Sequence, residues 1–394
     1  MAKTKPKNKQ SKEDRKAAQK RTSGRSNAPK ANMAVSTADL LAQAAALLQN
    51  GDIEGSVKPA KKALKSLNVE SPEALPALNL LGEIHVELGD IDSARQYFQQ
   101  AAAIDEDGSV PEELGGGAEK FLWLAQLSEE GGQDSVDWFE KGAMSLRVQI
   151  DALLASGKLD AEGEAAMAEK TRKLAVALCG VVEVYMTDLS WEEDAEHKCE
   201  TLVTEATLVA PQFAEPLQTL ANVRISQSRL EDAKAALKRS LDLWKDLPPG
   251  DTVVPDFPTR VSLARLLMEA DMEVEAIDVL ERLVGEDDSS VEVWYLGGWG
   301  LYILGEKQKN GEVKVENGDG ESWRVSWISS RQWLDQSLRL YKQQDYEDER
   351  LGEHAEELQA LINKELGGVS AEEEEEGDIW EDEGSEEDKE MIGA

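Results

Sequence analysis

The chain has 394 residues, of which 79 are acidic and 43 basic, giving a formal net charge of −36. That length exceeds what a single compact core usually encloses but suits a stack of repeats, and the acidity excludes broad nucleic-acid binding while favouring a basic partner. Two cysteines, Cys179 and Cys199, are too few for a secreted disulfide framework, and no apolar run approaches the roughly 18 residues that span a bilayer.

The charge is unevenly spread. Residues 1–32 hold eleven Lys and Arg against two acids, with almost no large apolar side chain. This segment reads as a disordered basic tail of the nuclear-localisation or nucleic-acid type, without the apolar core of a secretory signal. A soluble, intracellular protein is expected.

Helical periodicity begins near Thr37. Leu40, Ala44 and Leu47 mark one helix, Gly51-Asp52 a turn, and Ser56, Ala60 and Ala63 a second helix, with Pro72 closing the pair. The clearest unit follows at Ala77–Asp105, ALNLLGEIHVELGDIDSARQYFQQAAAID. Leu78, Leu81 and Gly82 lie in its first helix, Gly89-Asp90 in the turn, and Ala94, Phe98 and Ala101 in its second. Small residues fall where two antiparallel helices would touch. Such a pair cannot bury its apolar face alone and must stack on copies of itself.

Further copies follow. The third has Phe121, Leu124 and Ala125, a Gly131-Gly132 turn, then Val136, Glu140 and Ala143, with a register slip of one residue. The fourth is irregular, with helices near 162–186 and 191–208 and its best matches at Val176, Gly180 and Ala206 to Pro211. The fifth has Leu217, Leu220 and Ala221, then Ala233, Leu237 and Ser240. The sixth has Leu263, Ala264 and Leu267, then Ala276, Leu280 and Leu283. The seventh opens with Trp294, Gly297, Gly298 and Leu301 and resumes near 329–343 with Leu334 and Leu338.

Between these halves, about 306–326, Val313 and Val315 alternate before Asn317-Gly318-Asp319-Gly320, and Trp323, Val325 and Trp327 alternate after it. This pattern predicts a β-hairpin inserted in the last repeat. Residues 347–366, with Leu351, Leu358 and Ile362, are expected to form a capping helix. From about 369 the chain becomes a Glu-rich tail, expected to be disordered, with Ile379-Trp380 as its apolar element.

No catalytic, metal or cofactor constellation stands out. His85, His197 and His354 are scattered, and His197 with Cys199 does not match zinc spacing. The glycine clusters lack the Lys-Ser/Thr of a phosphate loop. A non-enzyme without metal or cofactor is expected.

The helix pairs resemble the tetratricopeptide repeat, whose unit is about 34 residues. The expected fold is therefore all-α: a superhelical solenoid of about seven repeats over 33–368, between the basic and acidic tails. Its concave wall would be lined by the first helices. Taking Gly82 as the frame, groove-facing side chains lie three residues before it and one, four and five after it. This places Asn79, Glu83 and Glu87 in the groove, with Glu119, Leu122, Gln126 and Glu130 in the third repeat. Gln218, Asn222 and Ser226 follow in the fifth, and Glu269 in the sixth. Tyr295, Trp299 and Ile303 complete the wall, with Tyr302 beside them. The wall would be acidic at one end and aromatic at the other, offering carboxylates to steer cations and rings for them to stack on. Relatives that clamp the acidic C-terminus of heat-shock chaperones do so with basic residues; Glu83 and Glu119 would repel such a peptide.

The whole layout is similar to that of fungal chaperones dedicated to ribosomal protein four of the large subunit. The similarity rests on segments such as NLLGEIHVELGDIDSARQYFQQAAAIDED and EEEEEGDIWEDE. It implies a holding chaperone that shields the long basic internal loop of that protein and escorts it to nuclear pre-ribosomes. The implied location is cytoplasm and nucleus, and the basic tail would suit a nuclear import receptor. The reading from another class is a tetratricopeptide scaffold in a multiprotein complex.

Overall fold

The computed structural model describes residues 36–155, 157, 160–313 and 322–367. The expected basic and acidic tails, with Ile379-Trp380, lie outside the described residues. Those described form fifteen α-helices joined by turns and short 3₁₀ segments. In chain order they are α1 (Thr37–Gln49), α2 (Ile53–Lys65), α3 (Leu75–Glu87), α4 (Ile91–Ile104), α5 (Glu119–Gln126), α6 (Gly132–Ala155), α7 (Ala161–Met186) and α8 (Ala195–Val209). They continue as α9 (Glu215–Ser226), α10 (Leu230–Asp242), α11 (Phe257–Glu269), α12 (Glu273–Glu286), α13 (Val291–Lys309), α14 (Ser322–Gln343) and α15 (Glu349–Leu366). They pack as seven antiparallel pairs, α1/α2 through α13/α14, with α15 closing the end.

Local chemistry sets the pair boundaries. Gly51 and Gly89 take positive φ (78° and 70°), which a residue with a Cβ adopts at a cost, and so end α1 and α3. The next residue starts the following helix: Asp52 accepts from the Gly55 amide and Asp90 from the Ser93 amide. Ser36 and Asp39 form a reciprocal capping box at α1. Pro72, expected to end the first pair, instead opens a short 3₁₀ turn, Pro72–Ala74, that leads into α3.

Packing inside the pairs follows the small residues. A Cβ on Gly82 would stand 2.5 Å from the Phe98 ring, so glycine lets α3 and α4 close over a fully buried phenylalanine. In α13, Gly297, Gly298 and Gly305 leave room for Trp333, Leu334 and Trp327 of α14. The sixth repeat matches the sequence reading in full: Leu263, Ala264, Leu267, Ala276, Leu280 and Leu283 are all excluded from solvent. Leu220 packs against the cores on both sides of it, so apolar contact is continuous through the fifth pair.

Two inward assignments change. In α6, Glu140 is exposed and Phe139 is buried, because the one-residue slip moves the inward stripe. In α7, Val176 is 41% exposed, and Gly180 meets Phe139 of the preceding pair.

The β-hairpin does not form over the described part of its range. Residues 306–309 extend α13, residues 310–313, with Val313, form a turn and bend, and Trp323, Val325 and Trp327 lie on α14; residues 314–321 are outside the described residues. Trp323 and Trp327 alternate with Val325, but they are also four residues apart, one helical turn. Helix geometry brings both indoles together at 5.0 Å between centroids and leaves Val325 67% exposed. Burying Trp327 on Tyr302 and Gly305, with Trp323 half-buried against it, outweighs the weaker preference for alternation.

Neighbouring pairs join second helix to next first helix, as in α2/α3, α4/α5 and α12/α13. First helices also touch one another, as in α1/α3, α7/α9, α9/α11 and α11/α13. Closer packing on the first-helix side bends the stack toward that side and makes its surface the concave wall.

Candidate functional groove

The acidic end of the wall begins on α3. Glu83 is half-buried and faces Glu119 at the start of α5; burial, then the Glu119 charge, raises its pKa. Glu119 is itself neutralised by Lys173 of α7 at 2.5 Å, and Lys173 also reaches Glu169. Glu83 makes no ion pair among the described residues. Glu87 is exposed at the end of α3.

Asn79 is a structural tie. Its Nδ2 donates to the Gly115 carbonyl at 2.8 Å, while its buried Oδ1 has no hydrogen-bond partner. The segment carrying Gly115 is fixed from below by Asp105, which accepts from the amides of Val110 and Gly117 and from Lys120 Nζ. Thus one buried ion pair sets where α5 starts and where Glu119 stands.

Gln126 ends α5 and is exposed. Glu130 falls in the turn after it, beside Asp92, Arg95 and Trp138, in a second concavity of about 420 Å³ against α4 and α6. The register slip therefore takes Glu130 off the first-helix wall. Asn222 is half-buried on α9, and Glu269 is exposed at the end of α11.

The middle of the wall contains acids that sequence reasoning passed over. Arg172, Val176, Cys179 and Glu183 fall at helical spacing on one face of α7. Solvent reaches Glu183, yet surrounding protein raises its pKa by burial, as on a concave floor. Glu215, at the first turn of α9, is pushed up to about 7 by burial, with Arg172 opposing and Asp256 adding to the shift. Its Oε2 is buried without a hydrogen-bond partner. Both carboxylates act on the Cys179 thiol, whose pKa burial pushes up to about 12; the thiol is inert. The Arg172 guanidinium lies 4.6 Å from the Phe213 ring and donates to the Thr252 carbonyl.

The aromatic end is split. Tyr295 and Trp299 sit 6.0 Å apart and line a pocket of about 590 Å³ between α11, α13 and α15. His354 of α15 stands edge-on to both rings, and its Nδ1 is 2.7 Å from Tyr295 Oη. Tyr302 is elsewhere. It stacks on Trp327 at 5.4 Å, and its hydroxyl donates to Glu306; burial, then the Glu306 charge, pushes its pKa up to about 12. Lys309 already covers Trp323 and Trp327 and pairs with Glu365. Three aromatics three or four residues apart on one helix thus divide between two sites, with Tyr302 outside the pocket.

Among the described residues no group of three or more His, Cys, Asp or Glu is arranged to hold a metal ion, and no helix is long and apolar enough to cross a membrane.

The tetratricopeptide-repeat family model matches residues 75–107, the unit around Gly82 and Phe98. Over 332 residues the chain is 52% identical to a protein of Emericella nidulans described as a probable assembly chaperone of rpl4; this covers 83% of the chain and 82% of that protein. The chain belongs to the family of rpl4 assembly chaperones. A Schizosaccharomyces pombe member with the same description is 33% identical over 352 residues, covering 89% of this chain and 97% of that one. A solved family structure, the assembly chaperone of RpL4 (Acl4), residues 1–338, is 59% identical. It superposes with a TM-score of 0.66, covering 71% of this chain and 100% of that structure.

Proposed function

We propose that this chain is a dedicated ribosome-assembly chaperone that binds newly made ribosomal protein four of the large subunit. It takes the basic internal loop of that protein into its concave wall and escorts it to nuclear pre-ribosomes. Shuttling between cytoplasm and nucleus follows from that itinerary, with the basic N-terminal segment as the element an import receptor would read. The mechanism is holding, with no bond made or broken: charge and apolar surface on the loop are covered until delivery.

The observation that carries this reading is the line of carboxylates along the first helices, Glu83 with Glu119, then Glu183 with Glu215, in a chain that belongs to this family. Burial makes Glu83, Glu183 and Glu215 costly to ionise without a nearby cation, so an arriving Lys or Arg relieves part of that cost. Many such modest contacts hold an extended chain, and long-range attraction speeds its capture. In this division of labour Glu83, Glu87, Glu119 and Glu269 steer, Asn79, Gln126 and Asn222 offer polar contacts, and Tyr295 and Trp299 anchor. Glu130, in the turn after α5, and Tyr302, stacked on Trp327, take no part in that division.

The test is capture of partners by the full-length protein at moderate salt, followed by their identification by mass. One dominant basic ribosomal protein supports the chaperone reading. Several acidic or neutral proteins in fixed ratio would make the chain a scaffold subunit instead.

A further inference from the structure

The pocket between α11, α13 and α15 differs in chemistry from the rest of the wall. Its floor is apolar, built from Met268, Leu296 and Ile303 with the rings of Tyr295 and Trp299. Charges stand only at its lip. Arg265 there is already paired with Glu292, the Asp348 carboxylate is taken up by the amides that open α15, and Arg350 is exposed. Glu269 makes no ion pair among the described residues. A carboxylate-lined groove alone would bind any basic chain, whereas this end offers a place where charge is not what is recognised.

We infer that this pocket is the specificity site of the groove: it takes one large apolar side chain, Leu, Ile, Met or Phe, from a basic extended segment lying along the wall. The inference rests on the proposal that the concave wall binds a basic loop. The occupant is a partner segment for two reasons. The pocket is continuous with the wall, since α11 and α13 are two of its first helices and Trp299 belongs to both. Its volume of about 590 Å³ lies in the range of pockets that bury a small molecule, and so accommodates a side chain with its backbone. Glu269 at the lip then complements a Lys or Arg next to the apolar residue. The anchor fixes the register of the segment, and the carboxylates toward α3 hold the remainder of its length.

Two labelled 20-residue peptides of equal positive charge test this on the full-length protein. One contains only Arg, Lys, Gly and Ser; the other carries a single Leu at its centre. Anisotropy titration should show the Leu peptide binding about tenfold tighter, the factor expected from partial burial of one aliphatic side chain. Trp299→Ala should bring the Leu peptide down to the affinity of the Gly/Ser peptide for the same variant, and Trp299→Phe should retain most of the difference. If Trp299→Ala does not fold, as judged by circular dichroism, Ile303→Gln provides the same comparison. Equal affinities for the two peptides would overturn the specificity site while leaving the acidic groove standing; no binding of either would overturn the groove reading itself. A Trp380→Ser protein that binds the Leu peptide more tightly than the parent would assign the pocket to the chain's own tail and overturn the proposal.

Discussion

Replacing Lys120 by Met is the sharpest way to ask whether the inter-repeat segment before α5 positions the groove. Lys120 and Asp105 have side chains only 1% exposed and lie 2.6 Å apart. Burial lowers the Lys120 pKa, and the hydrogen bond and charge of Asp105 oppose that shift. Nζ also donates to the Gly117 carbonyl at 2.6 Å. Without the ammonium, the Asp105 carboxylate keeps two amide donors but remains a buried charge without a counterion. Breaking a buried pair in this way costs about 3–5 kcal/mol, and the two amides place this case near the lower end. For a cooperative fold of about 330 residues that corresponds to a fall in melting temperature of about 4–7 °C, read by circular dichroism. Asp105→Asn added to Lys120→Met removes the stranded charge and should restore part of the loss. A Lys120→Met protein that melts with the parent, or a double variant no more stable than the single one, would refute the reasoning.

Three further outcomes are expected from the same geometry. Gly82→Ala should lose about 1–3 kcal/mol by overpacking against Phe98; an unchanged melting temperature would mean that α3 and α4 separate freely. Glu215→Gln should be pH-dependent in its effect. With its carboxyl pushed up to about 7 from 4.5, the folded parent retains a proton that the unfolded chain has lost, so parent stability falls as pH rises through that window. The variant should match the parent at pH 4 and exceed it at pH 8 by on the order of 1 kcal/mol after solvent screening; a variant less stable at pH 8 would contradict this. Glu83→Lys should slow association of a basic loop peptide roughly tenfold at low salt and much less at high salt, by stopped-flow anisotropy, because steering is screened. A salt-independent rate would remove the electrostatic account.

How legible each part was depended on whether one local signal decided it. The Gly-Asp turns at Gly51 and Gly89 combine a left-handed C-terminus with an N-cap, so two of the pair boundaries could be read directly. In the sixth repeat the apolar spacing was unbroken, and every named core residue is buried. The insertion failed because Trp323, Val325 and Trp327 satisfy two periods at once. Nothing local in the sequence showed that Gly305 leaves a space for Trp327, which is what selects the helix.

The groove was harder to read than the fold, because a groove position is defined by a neighbouring repeat. Offsets carried from Gly82 put Tyr295 and Trp299 on α13 into one pocket, although α13 and α14, with 19 and 22 residues, are longer than α3 and α4, with 13 and 14. The frame breaks after α5, which has 8 residues where α6 and α7 have 24 and 26. That length difference takes Glu130 into a turn and leaves the α7 face, Arg172 to Glu183, without a frame. Glu215 carried a different signal: an acid just before Pro216 in a helix's first turn, which reads as a favourable dipole contact. Only the approach of α7 and Asp256 makes it half-buried and poorly paired. Its burial is thus a property of the stacking, and the same holds for the contact of His354, which reaches Tyr295 across 59 residues of sequence.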